Sequence, residues 1–334
     1  MRCRVSWEAY VKPVSNQLDM FGAPSSVDAD RRRSRARDNA LPVDEAEMVR
    51  RLTETGRYRI LTKLPQRVVV TERRPGFPRI GVIVDTETTG LSFRTHEVIE
   101  FGGVAFSFTD EGEMGDVLEV YGGLQEPTTP ISDEITQLTG ITNDMVIGQS
   151  LDIWAIERLI RSADLVIAHN AAFDRPFCEL ISPVFGDVPW ACSNAEIGWS
   201  ARGFEGSKLG YLVGQSGFFH EGHRAVDDCF ALLEVLMAPV TDEGASAFTE
   251  LYQASLQSRA KIWALYSPFE TKDILKARGY RWSDGTDGQP KSWWMEVAET
   301  DLDAELMFLR SDIYQRADIE PVIRILSAVD RFKA

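Results

Sequence analysis

Cysteine is scarce in this sequence, and its scarcity removes whole classes of chemistry. The 334-residue chain contains Cys3, Cys178, Cys192 and Cys229 and no CxxC pair. Neither a disulfide framework nor a thiolate zinc site is expected, and the thiols read as reduced and buried. Long apolar runs are missing too. Nothing approaches the ~18 residues of a membrane span, and the start MRCRVSWEAYVKPV has no secretory apolar region. The expectation is a cytoplasmic protein with no membrane partner. Positive charge is in deficit, with a net charge of -15, which repels phosphate on average. That average does not exclude a nucleic-acid substrate, because carboxylates gathered around divalent cations reverse the local sign.

What is present divides along the chain. Residues 1–40 are polar and irregular, include the basic run RRRSRAR at Arg31–Arg37, and read as a disordered leader. Residues 41–78 read as a small helix–strand extension: LPVDEAEMVRRLTETG starts a helix near Asp44 and stops it at Gly56, and RVVV is strand-like. Residues 79–240 mix apolar strands (IGVIVD, VIEFGGVAFSF, VLEVYGGL, LVIAHN) with the helical AVDDCFALLEVL, an α/β layer pattern. Residues 241–266 read as a linking helix and 267–334 as a small α+β unit. In that unit, SPFETKDILKARG has Ser267 as N-cap, Glu270 completing a capping box and Gly279 as C-cap. A hairpin (YRWS, SWWMEV) and two helical stretches follow.

The chemistry gathers in the α/β layer. VDTETTG ends a buried strand with Asp85 and Glu87, two positions apart and therefore on one face, where a pair of carboxylates attracts a divalent cation. Asp174 in HNAAFD follows the strand LVIAHN. Asp228 in HRAVDD lies on a helix and is preceded by His223. Each acid alone has an ordinary structural reading, as a strand end, a helix cap or a solvated face. Their joint placement, each beside a strand end or helix start, points to metal-assisted phosphodiester hydrolysis, in which two cations about 3.5–4 Å apart activate water and stabilise the leaving oxygen.

The motifs DTETTGL (85–91), LTGIT (138–142), HNAAFD (169–174) and HRAVDD (223–228) resemble those of the DEDD 3′-to-5′ exonucleases. Similarity is greatest to the proofreading epsilon subunit of bacterial DNA polymerase III. The resemblance covers Ile80 to Pro239 and implies an RNase H-like core with a five-stranded mixed sheet flanked by helices. It implies two Mg²⁺ or Mn²⁺ ions, with Asp85 bridging both, Glu87 and Asp228 completing one site and Asp174 supporting the other. His223, five positions before Asp228, matches the histidine (DEDDh) branch and would deprotonate the attacking water. His169 is the competing imidazole, while His96 and His220 read as surface or loop residues. The same resemblance places Thr88, Thr89 and Gly90 at the terminal 3′-OH and Leu91 against the last base. It puts Ile141 and Phe173 near the terminal nucleotides, with Asn170 shaping the strand path; for Ile141 and Phe173 core packing is the alternative.

Single-stranded DNA 3′ ends are the expected substrate, with RNA left open because the metal ligands do not read the 2′ position. A non-catalytic nucleic-acid scaffold is the reading from another class. Flanks on both sides of the matching segment favour a freestanding or accessory exonuclease over a core proofreading subunit. The C-terminal unit interleaves Lys272, Lys276, Arg278, Tyr280, Arg281, Trp282, Lys291, Trp293 and Trp294, a pattern suited to holding a strand. In the leader, QLDMF resembles the QLxLF-type motif that binds the bacterial sliding clamp. Leu18, Met20 and Phe21 would fill an apolar pocket and Gln17 would bond at its rim.

Overall fold

The computed structural model describes residues 44–65, 67–238, 244–286 and 288–333. The expected leader over 1–40, with its basic run and with Gln17, Leu18, Met20 and Phe21, lies outside them, as does Cys3. The chain divides into two units, Met1–Ile60 and Leu61–Ala334. The first contains helix α1 (Glu45–Glu54), which starts where Asp44 accepts from the Ala46 N–H and gives way to Gly56 at φ 67°. These are the limits the Asp44 and Gly56 signals implied.

In the second unit the main elements run β1 (Arg79–Thr88), β2 (Val98–Phe108), β3 (Met114–Leu124), α2 (Asp133–Thr139), α3 (Ile153–Arg161), β4 (Leu165–Ala168), α4 (Ala171–Ile181), β5 (Trp190–Cys192), α5 (Ala225–Met237) and α6 (Ala247–Leu256). Next come β6 (Arg259–Ala264), α7 (Lys272–Arg278), β7 (Arg281–Ser283), β8 (Ser292–Ala298), α8 (Leu302–Phe308) and β9 (Val322–Leu326). Strands β1 to β5 form a five-stranded sheet in the order β3-β2-β1-β4-β5. The pairs β1/β2 and β2/β3 are antiparallel, while β1/β4 and β4/β5 are parallel. The expected mixed sheet between helices is therefore observed. Every residue of β2 is buried, which explains its continuous apolar run: both faces are covered. Ile83, Val104 and Phe106 pack on one face with Leu232 of α5 and Phe248 of α6. Val82, Val84 and Phe101 pack on the other with Ile156 of α3 and Phe177 of α4.

Two glycines set how close α5 comes. Gly102 pairs directly with Asp85, and a Cβ on it would lie 2.5 Å from the Ala225 carbonyl carbon. Gly122, opposite Gly102 on β3, would meet Val226 Cγ2 at 2.6 Å. Bare backbone on neighbouring strands thus lets the first turn of α5 lie on the sheet beside Asp85.

Strands β6 to β9 form a four-stranded sheet in the order β9-β6-β8-β7, all pairs antiparallel. Ala260 and Ile262 pack there with Leu275, Tyr280 and Leu309 in a core of their own. The β7/β8 hairpin is as expected. Other expectations in this region differ from the structure. Of the linking helix expected over 241–266, Ala247–Leu256 is helical, but Arg259–Ala264 is the strand β6. A short apolar run suits either state, and here two neighbouring strands supply its partners. The second terminal helix is instead β9, which pairs with β6 for the same reason. Helix α7 begins at Lys272, not after Ser267, because the Thr271 N–H and hydroxyl both donate to Pro268 O and close a tighter turn first. RVVV makes one isolated bridge, Val69 to Val117, and leaves Val68 exposed.

The end of the described chain is embedded in the larger layer, so the 267–334 segment is tied to it. Fully buried Arg331 donates to Glu196 Oε1 at 2.5 Å and to the carbonyls of Ala254 and Gln257. Arg175, also fully buried, donates to the Arg331 and Val329 carbonyls at 2.7 and 2.8 Å. No helix among the described residues is long and apolar enough to cross a membrane.

Candidate active site

Strand β1 delivers Asp85 and Glu87 to one face, and the close approach of α5 at Gly102 brings Asp228 to them. Carboxylate oxygens of Asp85, Glu87 and Asp228 lie within 4.8 Å of one another. Asp174, in the first turn of α4, is 3 % exposed and turned to the intervening residue: Thr86 donates to Asp174 Oδ1 from its hydroxyl at 2.9 Å and from its N–H at 3.2 Å. The structure thus brings three of the predicted acids together and holds the fourth beside them.

Such crowding is electrostatically costly. Burial, then the Asp174 and Asp228 carboxylates, raise Asp85 well above the ordinary carboxylate range. Glu87 is pushed up to about 8 by burial first and then by Asp228 and Glu100. Burial raises Asp174 to about 7 against the opposing Thr86 hydrogen bonds. A divalent cation removes this penalty, and a donor set made only of carboxylate oxygens suits a hard one such as Mg²⁺ or Mn²⁺.

The histidines do not all stand where the sequence suggested. His220, read as a surface or loop residue, is largely buried, with Nε2 2.7 Å from Asp228 Oδ1. His223 is exposed and at φ 66°; its N–H, not its ring, donates to Asp228 Oδ2 at 2.7 Å. His169 is held between Ser193 Oγ and Ser207 O, both at 2.8 Å, and burial lowers its pKa, so it is a structural imidazole. His96 packs under the turn after β1, where a Cβ on Gly90 would meet its ring at 2.4 Å.

Around that turn the Thr88 hydroxyl donates to Gly90 O, Thr89 exchanges bonds with Glu97, and Leu91 stands 87 % exposed. Phe173 is half-buried against Phe177, and Asn170 is exposed ahead of α4. Ile141 is instead fully buried with Ile99, Ile131 and Val146, and core packing accounts for it.

Residues 82–236 match the exonuclease family described as RNase_T: Exonuclease. This segment is similar to that family. The chain is similar to part of the DNA polymerase III PolC-type of Clostridium perfringens, 29% identical over 181 residues. It is also similar to that of Thermotoga maritima, 30% identical over 165 residues. These matches cover 51% and 47% of this chain but 12% and 11% of the relatives, so the chain spans about a tenth of their length. Among solved structures, Exonuclease X in complex with 5′ overhanging duplex DNA aligns at 22% identity and a TM-score of 0.38, covering 52% of this chain and 99% of that one. The five-stranded mixed sheet with flanking helices is the expected RNase H-like arrangement.

One acid beside the cluster carried little signal in the sequence. Glu100, 4 % exposed, pairs directly with Glu87 across β1 and β2. It accepts from the Ala225 N–H at 3.0 Å and from the Arg224 guanidinium at 2.9 Å, fastening the start of α5. Its signal was a carboxylate inside the otherwise apolar VIEFGGVAF. Thr86 and Gly102 carried no signal beyond lying in strands.

Proposed function

We propose that the chain is a divalent-metal-dependent 3′-to-5′ exonuclease of the DEDDh type. It hydrolyses the terminal phosphodiester of single-stranded or frayed DNA, releasing nucleoside 5′-monophosphates, in proofreading, repair or replication in the cytoplasm. The observation that carries this reading is the convergence of Asp85, Glu87 and Asp228 inside the segment matching the exonuclease family. DNA is favoured as substrate by the similarity to DNA polymerase III PolC-type proteins.

Asp85, Glu87 and Asp228 would hold one cation, and Asp85 with Asp174 a second. Bound Mg²⁺ or Mn²⁺ supplies Lewis-acid stabilisation of the charge that develops on the phosphate. The chain does the rest. His223 accepts the proton of the attacking water as the P–O3′ bond breaks, and the leaving oxygen is protonated from solvent. For this the loop before α5 turns the His223 ring inward, a motion open to an exposed residue at positive φ. His220 steadies Asp228 meanwhile. Leu91 offers an exposed apolar side chain to the terminal base.

Incubating the protein with 5′-labelled and 3′-blocked oligonucleotides and Mg²⁺ or Mn²⁺ tests this. A ladder from free 3′ ends only, abolished by EDTA, is the expected result. Cleavage of blocked ends, or turnover persisting in EDTA, rejects the reading. Faster turnover of ribo-oligonucleotides would transfer the activity to RNA trimming.

A further inference from the structure

A cleft of about 510 Å³ opens between the exonuclease domain and the C-terminal sheet. Its first wall includes Phe93, in the turn that follows Glu87, and Asn170, which opens the helix carrying Asp174. The wall is therefore built from chain that also frames the acid cluster. The second wall is one face of the β9-β6-β8-β7 sheet.

Register decides what that face carries, because directly paired residues point the same way. Trp294 pairs with Trp263 on one side and Arg281 on the other. Lys261 pairs with Glu296 and with Arg324. All six line the cleft. The alternate positions, Ile262 and Trp293 among them, pack into the core under α7 and α8. The sequence pattern alone had put Trp293 and Tyr280 on the strand-holding surface, but both belong to that core. Lys272 and Arg278 instead cover Phe269 and Phe308.

The face is cationic and aromatic together. Lys261 Nζ stands 4.2 Å from the Trp294 ring centre, and the Arg281 guanidinium 5.6 Å from it. Glu296 and Asp330 also line the cleft, yet each approaches its own cation, Lys261 and Arg324, at 3.9 Å. Arg259 and Arg281 have no ion pair among the described residues. Two donors are buried with no acceptor: Arg259 Nε and Trp263 Nε1, the latter on a side chain only 5 % exposed. A buried donor without a protein partner is met by water or by a bound molecule. Phosphate oxygens supply acceptors and negative charge, and bases supply flat faces for tryptophan.

We propose that this cleft is a second binding site, which holds single-stranded DNA upstream of the 3′-terminal nucleotide. Phosphates lie against Arg259, Arg281 and Arg324, and bases against Trp294. The site rests on the reading of the acid cluster as a DNA 3′-exonuclease centre, to which it feeds the strand. The C-terminal sheet thereby sets the length of strand the enzyme prefers.

The test is fluorescence anisotropy with the full chain in EDTA, where no strand is cleaved, using 5′-fluorescein strands of about 20 and about 3 nucleotides. Combined Arg259→Ala and Arg281→Ala is expected to raise the Kd of the long strand by about 10-fold. It should lower the slope of log K against log salt by about 0.7 for each phosphate the variant no longer neutralises. Trp294→Ala is expected to weaken the long strand by about 5-fold with the slope retained, and Trp294→Phe to restore most of it. The ratio of long- to short-strand affinity falls in each weakened variant. Because Arg281 is exposed, Arg281→Glu is the control that keeps the fold, and it should weaken the long strand too. Native-like binding of the long strand by all these variants, or equal weakening of both strands, overturns the proposal. Turnover by the native protein with Mg²⁺ is measured separately. Binding lost in the variants without native turnover retains the cleft and rejects the exonuclease reading; turnover with unaltered binding does the reverse.

Discussion

Glu87 and Glu100 face each other directly across β1 and β2, two carboxylates in a buried stretch of sheet. Only one of them is compensated by protein: Glu100 takes the Ala225 N–H and the Arg224 guanidinium, whereas Glu87 faces Asp85 and Asp228. The arrangement assigns Glu100 to positioning α5, and through it Asp228, and leaves Glu87 for the cation. Glu100→Gln is expected to lower turnover by about 10-fold through misplacement of Asp228, with weaker apparent metal affinity. Arg224→Ala, which strands a buried carboxylate but removes a side chain 43 % exposed, should cost about 1–2 kcal/mol in urea denaturation. Equal turnover in Glu100→Gln and the native protein would rule out the positioning role.

Asp85→Asn and Asp228→Asn are expected to reduce turnover by about 10³-fold or more, since each removes a carboxylate from the set of three. Without metal the same variants should melt higher than the native protein, because they relieve repulsion in a cluster arranged for function. Lower melting temperatures in EDTA for both variants would contradict this account of the cluster.

The pH dependence has a definite sign. Glu87 rises from 4.5 to about 8 and Asp174 from 3.8 to about 7 on folding. Between those limits the native state binds more protons than the unfolded chain, so stability of the metal-free protein falls as pH rises through roughly 4–8. Calorimetry in EDTA should show a melting temperature lower at pH 8 than at pH 5.5, by on the order of 5 °C. Added Mn²⁺ should close the gap, because it replaces the protons. A Mn²⁺ stabilisation that does not change with pH would sink this prediction.

Arg331 and Glu196 are both buried and paired, and Arg331 also serves two carbonyls. Removing the cation leaves these acceptors unmet, and Arg331→Ala is expected to cost about 3–5 kcal/mol. Deleting residues 260–334 should therefore impair folding of the whole layer, whereas a C-terminal unit that folds separately would leave short-substrate hydrolysis intact. Retained hydrolysis and an unchanged melting temperature in the truncated chain would restore the separate-domain reading.

We propose the sliding-clamp interaction on Gln17, Leu18, Met20 and Phe21, which lie outside the described residues. A peptide spanning Val14 to Pro24 is expected to bind a bacterial sliding clamp weakly, since ordering a free peptide consumes part of the binding energy. Leu18→Ala with Phe21→Ala should abolish that binding and leave oligonucleotide hydrolysis as it was. Calorimetry showing no heat with either the peptide or the full chain would exclude the interaction.

The sequence by itself determined the strand that carries Asp85 and Glu87 and the helix that carries Asp228, and it singled out Asp174 after the strand LVIAHN, because these depend on local pattern: an apolar run closing in DxE, a helix opening at AVDD. It also carried the β7/β8 hairpin, whose turn residues are local. Only the tertiary structure decided that Glu100 sits opposite Glu87, that His220 reaches Asp228 while His223 faces solvent, and that Arg259, Lys261 and Trp263 form a wall of the cleft. The first and the last depend on which strand pairs with which and in what register, and the second on how the loop before α5 folds back on that helix. A one-residue shift would turn Trp294 into the core and Trp293 out to the cleft, and no window of sequence contains the partner strand that forbids it.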